Sequence, residues 1–158
     1  MSNLRTSIAK AIALIAVISA STFASAGGTQ NLNVTATVTG LCKFSSAVQT
    51  FTFGTLDPSA AVASAGSGAS VTYKCTKGTA ATSVTAGNGA NFSGGRRMSN
   101  GTDFIPYSLT VAGGTQTGLG FSAGKDLSLT LTGSVAAADY EDVSSGSYTD
   151  TVVLTVAP

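Results

Sequence analysis

The chain of 158 residues contains no histidine and no tryptophan, only three prolines and two cysteines, and charged residues make up 9% of it. Each shortage excludes something. Without histidine there is no Ser-His-Asp or Cys-His catalysis, and most zinc sites are lost as well. Eight basic against seven acidic residues leave no cationic surface to neutralise phosphates, so a nucleic-acid partner is not expected. Scarce charge together with 43% apolar residues argues equally against disorder, because disordered chains are charged and poor in apolar side chains. What is abundant is small and polar: 21 Ser, 23 Thr and 19 Gly. The length allows one domain with a real core.

The first 26 residues read as a cleaved signal peptide. Arg5 and Lys10 form a basic start, Ala11–Ala20 is an uncharged apolar run, and Ala24-Ser25-Ala26 offers the small residues a signal peptidase accepts. A membrane span needs ~20 predominantly apolar residues, and Ser19, Ser21 and Thr22 dilute this run too early. The expected cut after Ala26 leaves residues 27–158 as one exported domain without a membrane span. Export places Cys42 and Cys75 in an oxidising compartment, where a structural disulfide is the expected pairing.

Along the exported part the apolar period is two. Leu32, Val34, Ala36 and Val38 alternate with polar residues, as do Val71, Tyr73 and Cys75. The same holds for Ile105, Tyr107, Leu109 and Val111, for Leu127, Leu129 and Leu131, and for Tyr148, Val152, Leu154 and Val156. Weaker strand candidates are Thr50–Phe53, Ser83–Ala86 and Gly118–Phe121, and short helical turns are expected at Ala60–Ala65 and Val135–Ala138. Gly-rich or Asn-Gly breaks separate these runs, at 66–68, 87–89, 94–95, 100–101, 113–114 and 145–146. Half-buried alternation with frequent turns predicts an all-β protein of two packed antiparallel sheets.

Sites for chemistry are weak. Asp139, Glu141 and Asp142 lack a calcium-loop pattern and read as a solvated loop. Arg96 and Arg97, adjacent on a strand, point to opposite faces, one expected to pair locally and the other to be exposed. Asn33, Asn91 and Asn100 match the glycosylation sequon, as chance allows in so Asn- and Thr-rich a chain. No catalytic residue, metal site or cofactor is expected. The segment from 29 to 39 is more informative, because it is tethered only at its C-terminal end. It can pair within its own sheet or leave and complete a neighbour's; patterning alone favours an ordinary first strand.

The strand ending Val38-Thr-Gly-Leu-Cys42, the run Thr52-Phe53-Gly54-Thr55-Leu56-Asp57 and the strand Val71-Thr-Tyr-Lys-Cys75 occur in that order. Arg97-Met98 and Pro106-Tyr107-Ser108-Leu109 follow, and the chain closes on Gly146-Ser-Tyr148-Thr-Asp150-Thr-Val152. This pattern resembles the spore coat protein U domain family, which includes major subunits of archaic chaperone–usher pili. The resemblance covers nearly all of the exported chain, and the C-terminal Gly-x-Tyr-x-Asp-Thr-Val is its most specific part. It implies an incomplete immunoglobulin-like sandwich, completed first by a periplasmic chaperone and then, at an outer-membrane usher, by a segment of the next identical or related subunit. Leu32, Val34, Ala36 and Val38 would be the plugs of that donor strand, with Ala36 a small one. The strand bearing Tyr148, Val152, Leu154 and Val156 would border the receiving groove. The expected product is an extracellular fibre at the cell surface. A monomeric surface domain binding glycan or protein, and a coat protein assembling without an usher, are the alternatives.

Overall fold

The computed structural model describes residues 27–60, 62–68 and 70–158. The expected signal peptide, 1–26, lies outside the described residues. The chain divides into two units, Met1–Ala36 and Thr37–Pro158. Among its described residues the second contains eleven strands: β1 (Cys42–Phe44), β2 (Phe51–Thr52), β3 (Ser64–Ala65), β4 (Ser67–Gly68), β5 (Val71–Cys75), β6 (Ser83–Ala86), β7 (Arg97–Ser99), β8 (Phe104–Pro106), β9 (Ser108–Ala112), β10 (Leu127–Val135) and β11 (Leu154–Ala157). One 3₁₀ turn spans Ala137–Asp139. There is no α-helix among the described residues, and every strand pairing is antiparallel. The all-β architecture expected from the alternation is therefore observed.

The longest strand organises the main sheet. β10 pairs β5 through Leu127↔Tyr73 and Leu129↔Val71, pairs β9 from Thr130↔Ala112 to Ser134↔Ser108, and ends on β3. β5 in turn carries β1, with Cys42 directly opposite Cys75. Separate ribbons are formed by β6 with β11, β2 with β4 and β7 with β8. Alternate residues of β5 (Val71, Tyr73, Cys75) and of β10 (Leu127, Leu129) are buried, together with Cys42 and Ala81. Val84 of β6 and Leu154 and Val156 of β11 pack against the same cluster. A second cluster, Ile105, Val135 and Tyr140, is covered by Phe53, Leu56, Met98 and Tyr148. The buried polar tips are satisfied: Tyr73 donates its hydroxyl to the Gly114 carbonyl at 3.0 Å, and Tyr140 donates to the Val62 carbonyl.

Several expectations need correction. Residues 27–41 form no strand: the backbone bonds of Leu41 go to Thr76, past the end of β5, and no ladder is built on them. Ile105–Val111 is two strands, not one. Pro106 cannot donate to a ladder, and at Tyr107 the chain passes from its β7 partner to its β10 partner. Gly118–Phe121 is a loop: a side chain at Gly118 would collide with the Cys75 and Thr76 carbonyls, and only Thr117 makes a bridge, to Ala80. Ala60–Ala65 ends in strand β3 rather than helix, and the turn expected at Val135–Ala138 begins only after Val135 completes β10. β7 was legible only in that Arg97 was expected on a strand; Arg-Met-Ser carries no apolar alternation that would bound it.

The expected disulfide joins Cys42 to Cys75, with Cα atoms 4.1 Å apart and both residues buried. In the chain-entropy model, closing a loop across 33 positions stabilises the fold by roughly 3–4 kcal/mol. Replacing both cysteines by serine is therefore expected to lower the unfolding free energy by roughly 2–5 kcal/mol in denaturant titration. Unchanged stability would mean that β1 is held without the bond.

Candidate functional site: a strand with one free edge

From Tyr148 to Val156 the even-numbered residues are half-buried and the odd-numbered ones exposed, a longer alternation than the four residues of β11. The backbone of this segment is bonded along one edge, first to Ser99 of β7 and then to residues in and around β6. Ser99 and Thr149 exchange both of their bonds, at 2.9 and 3.0 Å. The carbonyls of Thr151, Val153 and Ala157 accept from Ala90, Gly87 and Thr82. Successive residues of a strand direct their backbone groups to opposite edges. The N–H and C=O groups of Val152, Leu154 and Val156 therefore lie along the other edge, where no strand pairs with β11 among the described residues. β1 likewise pairs on one side only, and it is a spatial neighbour of β11. An apolar strand with an open edge is a ready template for another strand.

Asp150 anchors the segment that leads into β11. Its carboxylate accepts the Tyr107 hydroxyl at 2.7 Å, the Asn91 backbone N–H at 3.1 Å and the Thr151 N–H at 2.8 Å, with the Asn91 side-chain amide at 3.4 Å. Asn91 also donates to the Thr149 carbonyl at 3.0 Å. Gly89, at φ +92°, comes so close that any side chain there would strike the Asp150 carboxylate. Burial, and then the bond to Asp150, push the Tyr107 hydroxyl well above the usual tyrosine range. Tyr148 donates to the Ser144 carbonyl at 2.7 Å. The C-terminal motif thus anchors the segment that leads into β11.

The two arginines are also anchors, and neither is exposed as expected of one of them. Arg96 donates to the carbonyls of Gly87, Ala86 and Leu109, at 2.8, 2.9 and 3.0 Å, and so ties the end of β6 to β9. Arg97 donates to the Asn91 carbonyl at 2.7 Å and lies 3.8 Å over the Phe104 ring.

Beside the start of the C-terminal segment is a cavity of about 540 Å³. The stretch from Phe51 to Leu56 forms one wall, and Val143 to Tyr148 the other, with Met98 and Ile105 between. Phe53 meets Phe51 edge-on with ring centres 5.5 Å apart. The second wall is held by Asp103, whose carboxylate accepts the Ser144 hydroxyl and its N–H; the hydroxyl bond above all draws the carboxyl below its ordinary pKa. The Phe-Gly run was noticed in the sequence as a pattern, but its role as a cavity wall was not legible there, since Phe51 and Phe53 reach it only through the β2–β4 pairing.

The remaining sequence candidates separate clearly. Cys42 and Cys75 are joined. Tyr148, Val152, Leu154 and Val156 share one half-buried face. Leu32, Val34 and Val38 are 85%, 84% and 81% exposed, and Ala36 is exposed too. Asp139, Glu141 and Asp142 do not gather, and no group of metal-ligating side chains occurs among the described residues. No described helix is long and apolar enough to cross a membrane.

These features define an antiparallel β domain with an open apolar edge. The Spore Coat Protein U domain model matches residues 28–155, and the chain belongs to that family. The family is structural and is linked to spore coats and pilus-like secreted subunits; with the disulfide, it assigns the chain to secreted proteins. No curated protein and no solved structure matches the chain.

If Asp150 is the anchor, Asp150→Ala strands the Tyr107 hydroxyl and the Asn91 amide and is expected to cost roughly 1–3 kcal/mol of stability. Tyrosine 107 has its pKa raised by folding, so its contribution is complete below the ordinary value of 10.0 and is lost as pH rises beyond it. Unfolding titrations above pH 10.0 should show that loss in the unmodified protein and not in Tyr107→Phe. The same alkaline slope in both would remove Tyr107 from the account.

Proposed function

We propose that the chain is a subunit of a secreted surface fibre, exported through the periplasm and polymerised by donor-strand exchange with a chaperone and an outer-membrane usher. The observation that carries this reading is the free edge of β11 and of the residues leading into it, along which Val152, Leu154 and Val156 lie at half burial. A fully covered core strand would bury these side chains; here the cover stops short. The strand order β1–β5–β10–β9 and the β6–β11 ribbon fit an immunoglobulin-like sandwich lacking its last strand. The donor would be residues 29–39 of another copy, after removal of residues 1–26. Leu32, Val34, Ala36 and Val38 recur at every second position, as a strand laid along a groove requires.

The energetics favour such an exchange. Each large plug transferred from water into an apolar groove contributes ~1.5–3 kcal/mol, and ladder bonds to β11 add to it. Ala36 contributes least. The cavity beside Tyr148, with Phe51, Phe53, Met98 and Ile105 on its walls, offers apolar volume at one end of the same edge. The rival reading, a self-complete monomer, needs residues 32–38 to be an internal strand, and they are unpaired.

The decisive substitution is Val34→Asp, purified as a complex with its chaperone. A carboxylate forced into an apolar groove without a partner costs several kcal/mol, at least what the plug contributes. The domain is expected to keep its stability while fibre yield collapses. Loss of the fold itself would favour the self-complete monomer, and abundant normal fibres would contradict the donor assignment.

A further inference from the structure

Residues 39–41, just before β1, have no strand structure and little side-chain burial: Leu41 is 47% exposed and Val38 more so. Their main chain is nevertheless held, and one residue holds it. Thr76 donates its N–H to the Leu41 carbonyl at 2.9 Å. Its hydroxyl accepts the Leu41 N–H at 3.1 Å. The hydroxyl proton has two acceptors in reach, the Thr39 carbonyl at 3.2 Å and the Leu41 carbonyl at 3.4 Å. Gly40 lies between these contacts, where an added Cβ would sit 3.1 Å from the Thr79 hydroxyl oxygen and 3.3 Å from its methyl carbon. The absence of a side chain at position 40 lets the backbone lie against Thr79.

Thr76 is itself immobilised. It follows Cys75, whose disulfide partner Cys42 follows Leu41, so covalent and hydrogen-bonded links alternate at this point. Gly120 donates to the Cys75 carbonyl at 3.0 Å, and Thr79 donates to the Thr76 carbonyl at 2.9 Å. The segment that the clamp holds is the root of residues 29–39. A flexible root would let that segment leave the domain in many directions; a clamped one fixes its exit.

We propose that Thr76, with Gly40 lying against Thr79, is a positioning residue that fixes the exit of the N-terminal segment and thereby sets the angle between consecutive subunits of the fibre. This rests on the donor-segment reading of residues 29–39. The hydrogen bonds of Thr76 go to Thr39, Leu41 and Thr79 and not to Val152, Leu154 or Val156, so it acts on geometry and not on the affinity of the plugs.

The test compares fibres of the unmodified chain with those of Thr76→Val, which keeps the shape and removes the hydroxyl, and Thr76→Ser, which restores it. Electron microscopy reads the distribution of angles between neighbouring subunits. Thr76→Val is expected to yield fibres whose angular spread is at least doubled, and Thr76→Ser to return it to that of the unmodified chain. In the chaperone-bound protein, the Leu41 amide should exchange about fivefold to tenfold faster in Thr76→Val, the equivalent of one net hydrogen bond. An unchanged angular distribution, or an unchanged Leu41 exchange rate, would overturn the proposal. Absence of fibres from the unmodified chain would instead overturn the donor-segment reading, and this inference with it.

Discussion

The C-terminal strand is bonded along one edge and open along the other, and most of the molecule is arranged around holding it in that state. Apolar side chains at Val152, Leu154 and Val156 favour cover, and the backbone groups beside them favour a partner. A strand left like this in a loosely built domain would fray or aggregate. Here its position is fixed by contacts along its bonded edge. Thr149 is bridged to Ser99, Asp150 gathers donors from Tyr107 and Asn91, and β6 runs along the paired side. On the proposed reading the open edge is therefore a preformed receptor, and little ordering cost is left to be met when a strand arrives.

The disulfide performs the equivalent task for β1. That strand has three residues and one paired edge, too little to hold itself by ladder bonds. Cys42–Cys75 joins it to the buried C-terminal end of β5, and Thr76 extends the attachment by one more residue toward the N-terminus. Rigid attachment on the domain side contrasts with the exposed alternating segment that precedes it. The contrast suits a segment whose partner is elsewhere.

Much of the fold was legible because half-buried strands leave a period of two. Val71–Cys75, Ser83–Ala86 and Leu127–Leu131 were readable for that reason, and the cysteine pairing followed from export and number. The strands that escaped are those whose register is set by side-chain anchors instead of apolar pattern. Arg97–Ser99 has no alternation to read, and its place is fixed by bonds to the Asn91 carbonyl and to Thr149. The motif around Asp150 was visible as a pattern, but four donors converging from residues 91, 107 and 151 are a property of the fold. Leu32–Val38 shows the limit from the other side. Its alternation is as regular as any in the chain, yet no strand forms, because alternation specifies a face that can be buried and does not by itself supply a partner edge.

Amide hydrogen exchange along the C-terminal strand tests the central claim most directly. The amides of Gly87 and Thr149 are bonded within the domain, to Val153 and Ser99, and serve as references. The account predicts that in the fibre the amides of Val152, Leu154 and Val156 become protected by orders of magnitude relative to the isolated subunit, while the reference amides change little. Equal exchange at Val152, Leu154 and Val156 in the isolated subunit and in the fibre would contradict it, since no strand would then have been added to that edge.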